Sequence, residues 1–187
     1  MAYKSRKYKE PTNPVGTVAE LFAGVGGFRI GLAEAGWKTV YSNQWEPSTK
    51  AQHASDVYVA RFGPEGHSNE DIATVETIPG HIDLLVGGFP CQDVSNANTT
   101  INPEGLQGTR SGLWVEFKRL VDEIRPRYCI VENVSALLYR GMGRVLGDLA
   151  KIGYDAEWHC IPACYVGAPH ERDRLWIVSY PNSNSKS

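Results

Sequence analysis

The chain has 187 residues, 42% of them hydrophobic and 21% charged, with a formal net charge of −2. That length suits one domain with a core of its own, and no apolar run reaches the length of a bilayer span. The near-neutral charge neither supports nor excludes a nucleic-acid substrate: Lys4, Arg6, Lys7 and Lys9 crowd the start and Arg172 and Arg174 sit near the end.

Residues 1–16 are polar and Pro-containing and read as an N-terminal arm. The basic start has no apolar segment behind it, so it is not a secretory signal, and a cytoplasmic location is expected. Four cysteines in a chain of this length do not make a disulfide framework. Val18–Phe22 reads as a strand, then a Gly-rich turn, then a helix over Phe28–Ala35. Trp37–Ser42 is a second strand, and Pro47–Phe62 an amphipathic helix with Pro47 in its first turn. A weak strand precedes Asp71, and Ile82–Val86 is a buried-type strand ending in Gly-Gly. Leu113–Ile124 reads as a helix, Tyr128–Glu132 as a strand and Gly143–Ile152 as a helix. Tyr154–Ile161 and Arg174–Tyr180 close the domain as strands, and 181–187 is a polar tail. Strands alternating with helices over 17–180 predict an α/β domain, with a mostly parallel sheet and helices on both faces. Ligands of such sheets bind beyond the carboxyl ends of the strands.

The first strand is followed by Phe22-Ala23-Gly24-Val25-Gly26-Gly27-Phe28. Glycines let the backbone turn sharply and approach a ligand. The G-x-G-x-x-G fingerprint is not completed, because Arg29 stands at its last position, so a pyrophosphate is disfavoured and a nucleoside without phosphates fits better. After the second strand, Gln44 and Trp45 suit a ribose and a purine, although Trp45 as plain core is equally ordinary. Asp71-Ile72 offers a purine amino group and ring face their contacts. Cys91 in Gly87-Gly88-Phe89-Pro90-Cys91-Gln92 is presented at a strand end. A free cysteine is more often a small buried hydrophobe, but this placement favours a nucleophile. Glu132 ends the apolar run Tyr-Cys-Ile-Val, where desolvation would raise its pKa and make it a proton donor. If their strands are neighbours, Cys91 and Glu132 face one cleft. In His170-Glu171-Arg172-Asp173-Arg174, extended backbone would put both arginines on one face. Cys129 reads as core. His159, Cys160 and Cys164 lack a fourth partner at zinc spacing, so no metal site is expected.

In order, these segments resemble the cytosine-5 DNA methyltransferase family, common in bacterial restriction–modification systems and phages. Glu20–Gly36 resembles its cofactor motif, Ser42–Trp45 the ribose and adenine segment, and Asp71-Ile72 the next cofactor contact. Gly88–Gln92 resembles the nucleophile loop, Glu132–Val134 the Glu-Asn-Val motif, and His170–Arg174 the Gln-x-Arg-x-Arg motif. The resemblance implies a Rossmann-like S-adenosylmethionine-dependent fold and methylation of C5 of a cytosine flipped out of double-stranded DNA. Cys91, Glu132, Arg172 and Arg174 would be catalytic. Phe22, Ala23, Gly24, Val25, Gly26, Gln44, Trp45, Asp71, Ile72, Pro90 and Leu113 would hold S-adenosyl-L-methionine. Gln92, Ser95, Asn133 and His170 would meet the substrate.

Three departures stand out. Gln44 replaces the Glu often found at the ribose, and His170 replaces the usual Gln. The family's chain normally continues into a target-recognition region and closing motifs, whereas this one stops at a polar tail. The resemblance then implies a second polypeptide carrying that region, or a truncated gene. The alternatives are a subunit or remnant that binds cofactor without catalysis, and a tRNA cytosine-5 methyltransferase.

Overall fold

The computed structural model describes residues 8–89 and 112–183. Its centre is a seven-stranded sheet. The strands are β1 (Gly16–Leu21), β2 (Trp37–Asn43), β3 (His67–Ser68), β4 (Leu84–Gly87), β5 (Tyr128–Val134), β6 (Tyr154–Pro162) and β7 (Asp173–Pro181), in the spatial order β3-β2-β1-β4-β5-β7-β6. β1 pairs with β2 and β4, β2 with β3 and β4 with β5, all parallel, while β7 is antiparallel to both β5 and β6. The helices are α1 (Gly27–Glu34), α2 (His53–Phe62), α3 (Gly112–Ile124), the single turn α4 (Leu137–Arg140) and α5 (Met142–Lys151).

One sheet face presents Ala19, Leu21, Leu85, Cys129, Val131, Leu175 and Ile177 to the core. α3 covers it with Trp114, Phe117, Leu120 and Val121, spaced for one helical stripe. Val145 and Leu149 of α5 continue the cover, and Trp114 Nε1 donates to Asp148 Oδ2 at 3.1 Å, tying the two helices together. The other face presents Val18, Leu84 and Val86 to Phe28 and Leu32 of α1. β4, buried at every residue, is the all-apolar strand that a parallel sheet covered on both faces demands.

The architecture matches the sequence reading, with local differences. The helix expected from Pro47 starts at His53. Gln52 folds back instead: its Oε1 accepts from Glu46 N at 2.7 Å and its Nε2 donates to the carbonyls of Glu46 and Thr49. Glu46 Oε2 then accepts from Ala54 N at 3.1 Å, so residues 46–52 form a side-chain-laced turn. Nor is the lead-in a loose arm from Tyr8 onward. Arg29 Nε donates to Tyr8 Oη at 2.9 Å, and its guanidinium pairs with Glu10.

Candidate active site

The carboxyl ends of β1, β2 and β3 lie side by side, Leu21 against Asn43 and Asn43 against Ser68. Between β1 and α1, Phe22, Gly24 and Gly26 all take positive φ (55°, 55° and 86°). Gly26 is required twice over, because a Cβ there would run into the Phe62 ring as well as strain the backbone. A Cβ on Gly24 would meet nothing within 4 Å, so open space lies in front of the loop where a ligand can approach its backbone. Gln44 Oε1 accepts from Gly24 N at 2.8 Å. The amide oxygen is thereby committed to the loop.

Behind this wall, Asn43 is 1% exposed and donates from Nδ2 to the Glu70 carbonyl at 2.9 Å, fixing the segment that delivers Asp71. Asp71 caps a 3-10 turn over Ile72–Thr74, its Oδ1 accepting from Ala73 N at 3.0 Å. Ile72 is buried in the core, Trp45 is 38% exposed and Val25 is 51% exposed. Ala23 is buried, whereas Phe22 and Leu113 are partly buried against the same core.

Beneath the loop lies a polar network that the sequence reading missed. Glu20 is wholly buried, and Tyr58 Oη donates to its Oε2 at 3.0 Å. Arg29 Nη1 donates to Tyr58 Oη at 3.3 Å, so the network runs from Glu10 and Tyr8 through Arg29 and Tyr58 to Glu20. Burial pushes the Glu20 carboxyl up to about 7, against hydrogen bonds from Tyr58 and from the Arg29 and Phe28 amides. The signal was present in the sequence: Glu20 interrupts an apolar strand just as Glu132 does. Its carboxylate fills the N-terminus of α1, where phosphate-binding folds seat an anion. That occupancy favours a cofactor without phosphates, so these residues fit S-adenosylmethionine rather than a dinucleotide.

The second half of the site lies on β5 and β7. β4 and β5 are adjacent, Gly87 against Val131, as the pairing of Cys91 with Glu132 required. Pro90, Cys91, Gln92 and Ser95 lie outside the described residues. What is described leads to them: a Cβ on Gly88 would come 2.8 Å from Glu132 Oε2, so the chain passes close by this carboxyl and any larger residue would displace it. Glu132 is not isolated among apolar groups, as its strand had suggested. Its Oε1 is 2.7 Å from Arg174 Nε, and its side chain is 27% exposed.

Arg172 and Arg174 do not form the extended pair expected. The strand begins at Asp173, and Arg172 is exposed with φ 22°, which breaks the alternation. His170 is exposed as well. Asn133, expected to meet substrate, is 3% exposed with its side chain spent internally. Its Nδ2 donates to the Phe89 carbonyl at 2.8 Å and its Oδ1 accepts from Val134 N at 2.9 Å. It tethers the residue before Pro90 to β5. Cys129 is core, burial pushing its thiol up to about 12, while Cys160 and Cys164 are exposed. No helix among the described residues is long and apolar enough to cross a membrane.

Residues 16–187 match the family model described as C-5 cytosine-specific DNA methylase. The type II methyltransferase M.Sau3AI of Staphylococcus aureus is 41% identical over 176 residues, covering 87% of this chain and 43% of the relative. Among solved structures, a prophage-encoded DNA modification methyltransferase from Escherichia coli superposes with TM-score 0.70 at 26% identity, covering 88% of this chain and 46% of its own. Dnmt2 of Schizosaccharomyces pombe superposes with TM-score 0.70 at 18% identity, a likeness of fold alone, covering 92% and 53%. The chain spans about half the length of the curated relatives it matches.

Proposed function

Because the chain belongs to the C-5 cytosine-specific DNA methylase family, we propose that it methylates C5 of cytosine in DNA through a covalent bond between Cys91 and C6, as the catalytic part of a larger or two-chain enzyme. The observation that carries this reading is the Glu132–Arg174 pair, set against Gly88 where the chain runs toward Cys91.

The cofactor is S-adenosylmethionine, which supplies an electrophilic methyl group when bound. Phe22–Gly26, Gln44, Trp45, Asp71, Ile72, Pro90 and Leu113 are the residues that would hold it. The target base is flipped out of the duplex, since its C5–C6 edge cannot be reached in the stack. The Cys91 thiolate adds to C6, forming the S–C6 bond and pushing the C5–C6 π electrons into the ring. Glu132, carrying a proton on its other oxygen, donates to N3 and offsets the negative charge pushed into the ring, while Arg174 holds Oε1 in place. C5 is then nucleophilic enough to accept the methyl. Removal of the C5 proton returns its electron pair to the ring and expels the thiolate. Arg172, exposed beside this pair, suits a nearby phosphate.

A recognition region, on this chain or a second one, would sit on the open face of β7 and β6. Val178 and Ile161, each 38% exposed, share that face, whereas Trp158 lies on the opposite one with Ile177. The reading places the protein in the cytoplasm of a bacterium or in a phage-infected cell. The test uses DNA carrying 5-fluorocytosine, incubated with cofactor, this chain and a polypeptide supplying the recognition region. A denaturation-stable protein–DNA adduct is expected, and Cys91→Ala should abolish it. Methylation by Cys91→Ala would sink the covalent route. Parallel labelling of DNA and transfer RNA distinguishes the substrates, and cofactor binding with labelling of neither identifies a non-catalytic subunit.

A further inference from the structure

The turn that presents Asp71 is braced by a residue outside every motif. Arg119, in the middle of α3, donates from Nη2 to the carbonyls of Ile72 (3.3 Å) and Val75 (2.9 Å). The rest of its guanidinium is bracketed: Nε donates to Glu116 Oε2 at 2.6 Å and Nη1 to Glu123 Oε2 at 2.9 Å. At the front of the turn, the Asp71 carbonyl accepts from the backbone N and the hydroxyl of Thr74, both at 2.8 Å. The Ile72 carbonyl already accepts from Val75 N at 3.2 Å, and Arg119 adds a charged donor to it and to the Val75 carbonyl at the end of the turn. The turn is therefore closed at one end by Asp71 and at the other by Arg119. Ile72 and Val75 also bury their side chains in the core that holds Phe117 and Val121, so α3 grips the turn by apolar packing and by charge together.

We propose that Arg119 is a positioning residue for the adenine subsite. It fixes the 71–75 turn so that the Asp71 carboxylate, with one oxygen committed to Ala73 N, presents the other at a constant place to the purine amino group. The inference rests on reading Asp71 as the adenine contact. Leu113, in the first turn of the same helix, stands on the same proposed cofactor pocket, so α3 sets the position of two parts of it. A lysine could not serve equally. Its point charge has no planar fork, and cannot satisfy two glutamates and two carbonyls in fixed directions.

The experiment is calorimetric titration of the chain with S-adenosylmethionine and with the analogue whose purine 6-amino group is replaced by oxygen. It is run on the wild type, Asp71→Ala, Arg119→Met and Arg119→Lys, with the thermal midpoint of each recorded. Arg119→Met should weaken the natural cofactor about tenfold, the size expected for losing charge-assisted hydrogen bonds. It should also bring the affinity ratio between the two purines toward one, with Arg119→Lys in between. A merely structural role would lower both affinities alike. An unchanged ratio in Arg119→Met beside a collapsed ratio in Asp71→Ala overturns the role of Arg119 and leaves the site reading standing. An unchanged ratio in Asp71→Ala, or a wild type that binds neither ligand, overturns both. Should Arg119→Met not fold, Arg119→Lys decides: a reduced ratio supports the brace, and an unchanged one refutes it.

Discussion

The sheet divides into two halves built to different standards of closure. Around β1 and β4 both faces are covered: Val18, Ala19, Leu85 and Val86 are all 0% exposed, and even the charged Glu20 is sealed in. On β5 and β7 the face toward α3 and α5 is covered, while the other is covered only in part, by Phe28 beside Ile130 and Trp176. β5 alternates between buried and half-buried residues, Val178 is 38% exposed, and nearly all of β6 is open. The first half is the proposed cofactor side and keeps its chemistry within the chain. The second bears Glu132 and Arg174, and leaves apolar surface uncovered. The halves thus differ in how much of their apolar surface is covered.

The sharpest way to break that comparison is at the closed end. Gly26→Ala forces a positive φ on an L residue and drives its methyl into Phe62, which Tyr8 and Tyr58 hold from the sides. A loss of about 3 kcal/mol in denaturant unfolding is expected; a neutral variant would mean that the closed half is looser than drawn.

Glu20 offers a test by pH. Its folded pKa, about 7, lies above the ordinary value of 4.5. The folded state therefore binds the proton more tightly, and this contribution to stability is fully present below about pH 4.5 and fades as pH rises through 7. Between about pH 5 and 7 it should cost the wild type roughly 2 kcal/mol relative to its stability at pH 5. Glu20→Gln should lack this slope. Parallel pH profiles of the two proteins would contradict the buried carboxylate.

The smallest effect compares one substitution on the two halves. Val86→Thr buries a hydroxyl in apolar surroundings and should cost about 1–2 kcal/mol. Val178→Thr, on the half-open side, should stay within about 0.5 kcal/mol. Equal costs would erase the distinction between the halves.

Much of this was legible in the sequence, for physical reasons. Apolar runs capped by glycine mark strand ends, and in a parallel sheet the strand ends are where ligands meet the chain. That placed the loop at Gly24, Gln44, Asp71 and Glu132 near one edge before any coordinates. What stayed hidden were long-range polar partners. Nothing local says that Arg174 will reach Glu132, or that Arg119 will close the turn after Asp71. Backbone exceptions were hidden as well. The alternation read for Arg172 and Arg174 fails because φ at Arg172 is 22°, and the helix read from Pro47 is delayed by the Gln52 side chain. The Glu132 side chain meets an arginine that its own strand does not announce, and the desolvation argument made for it, applied to Glu20, would have found the network there.

The strand order carries a consequence for synthesis. β7 lies between β5 and β6, so β6, although made earlier, has no place in the sheet until the final strand has emerged. A ribosome that stops short of Asp173 therefore leaves two strands unplaced rather than one, and Glu132 without its arginine. Joining β5 to β6 and bringing Arg174 to Glu132 is therefore the last event in building this sheet, and it waits until β7 is free.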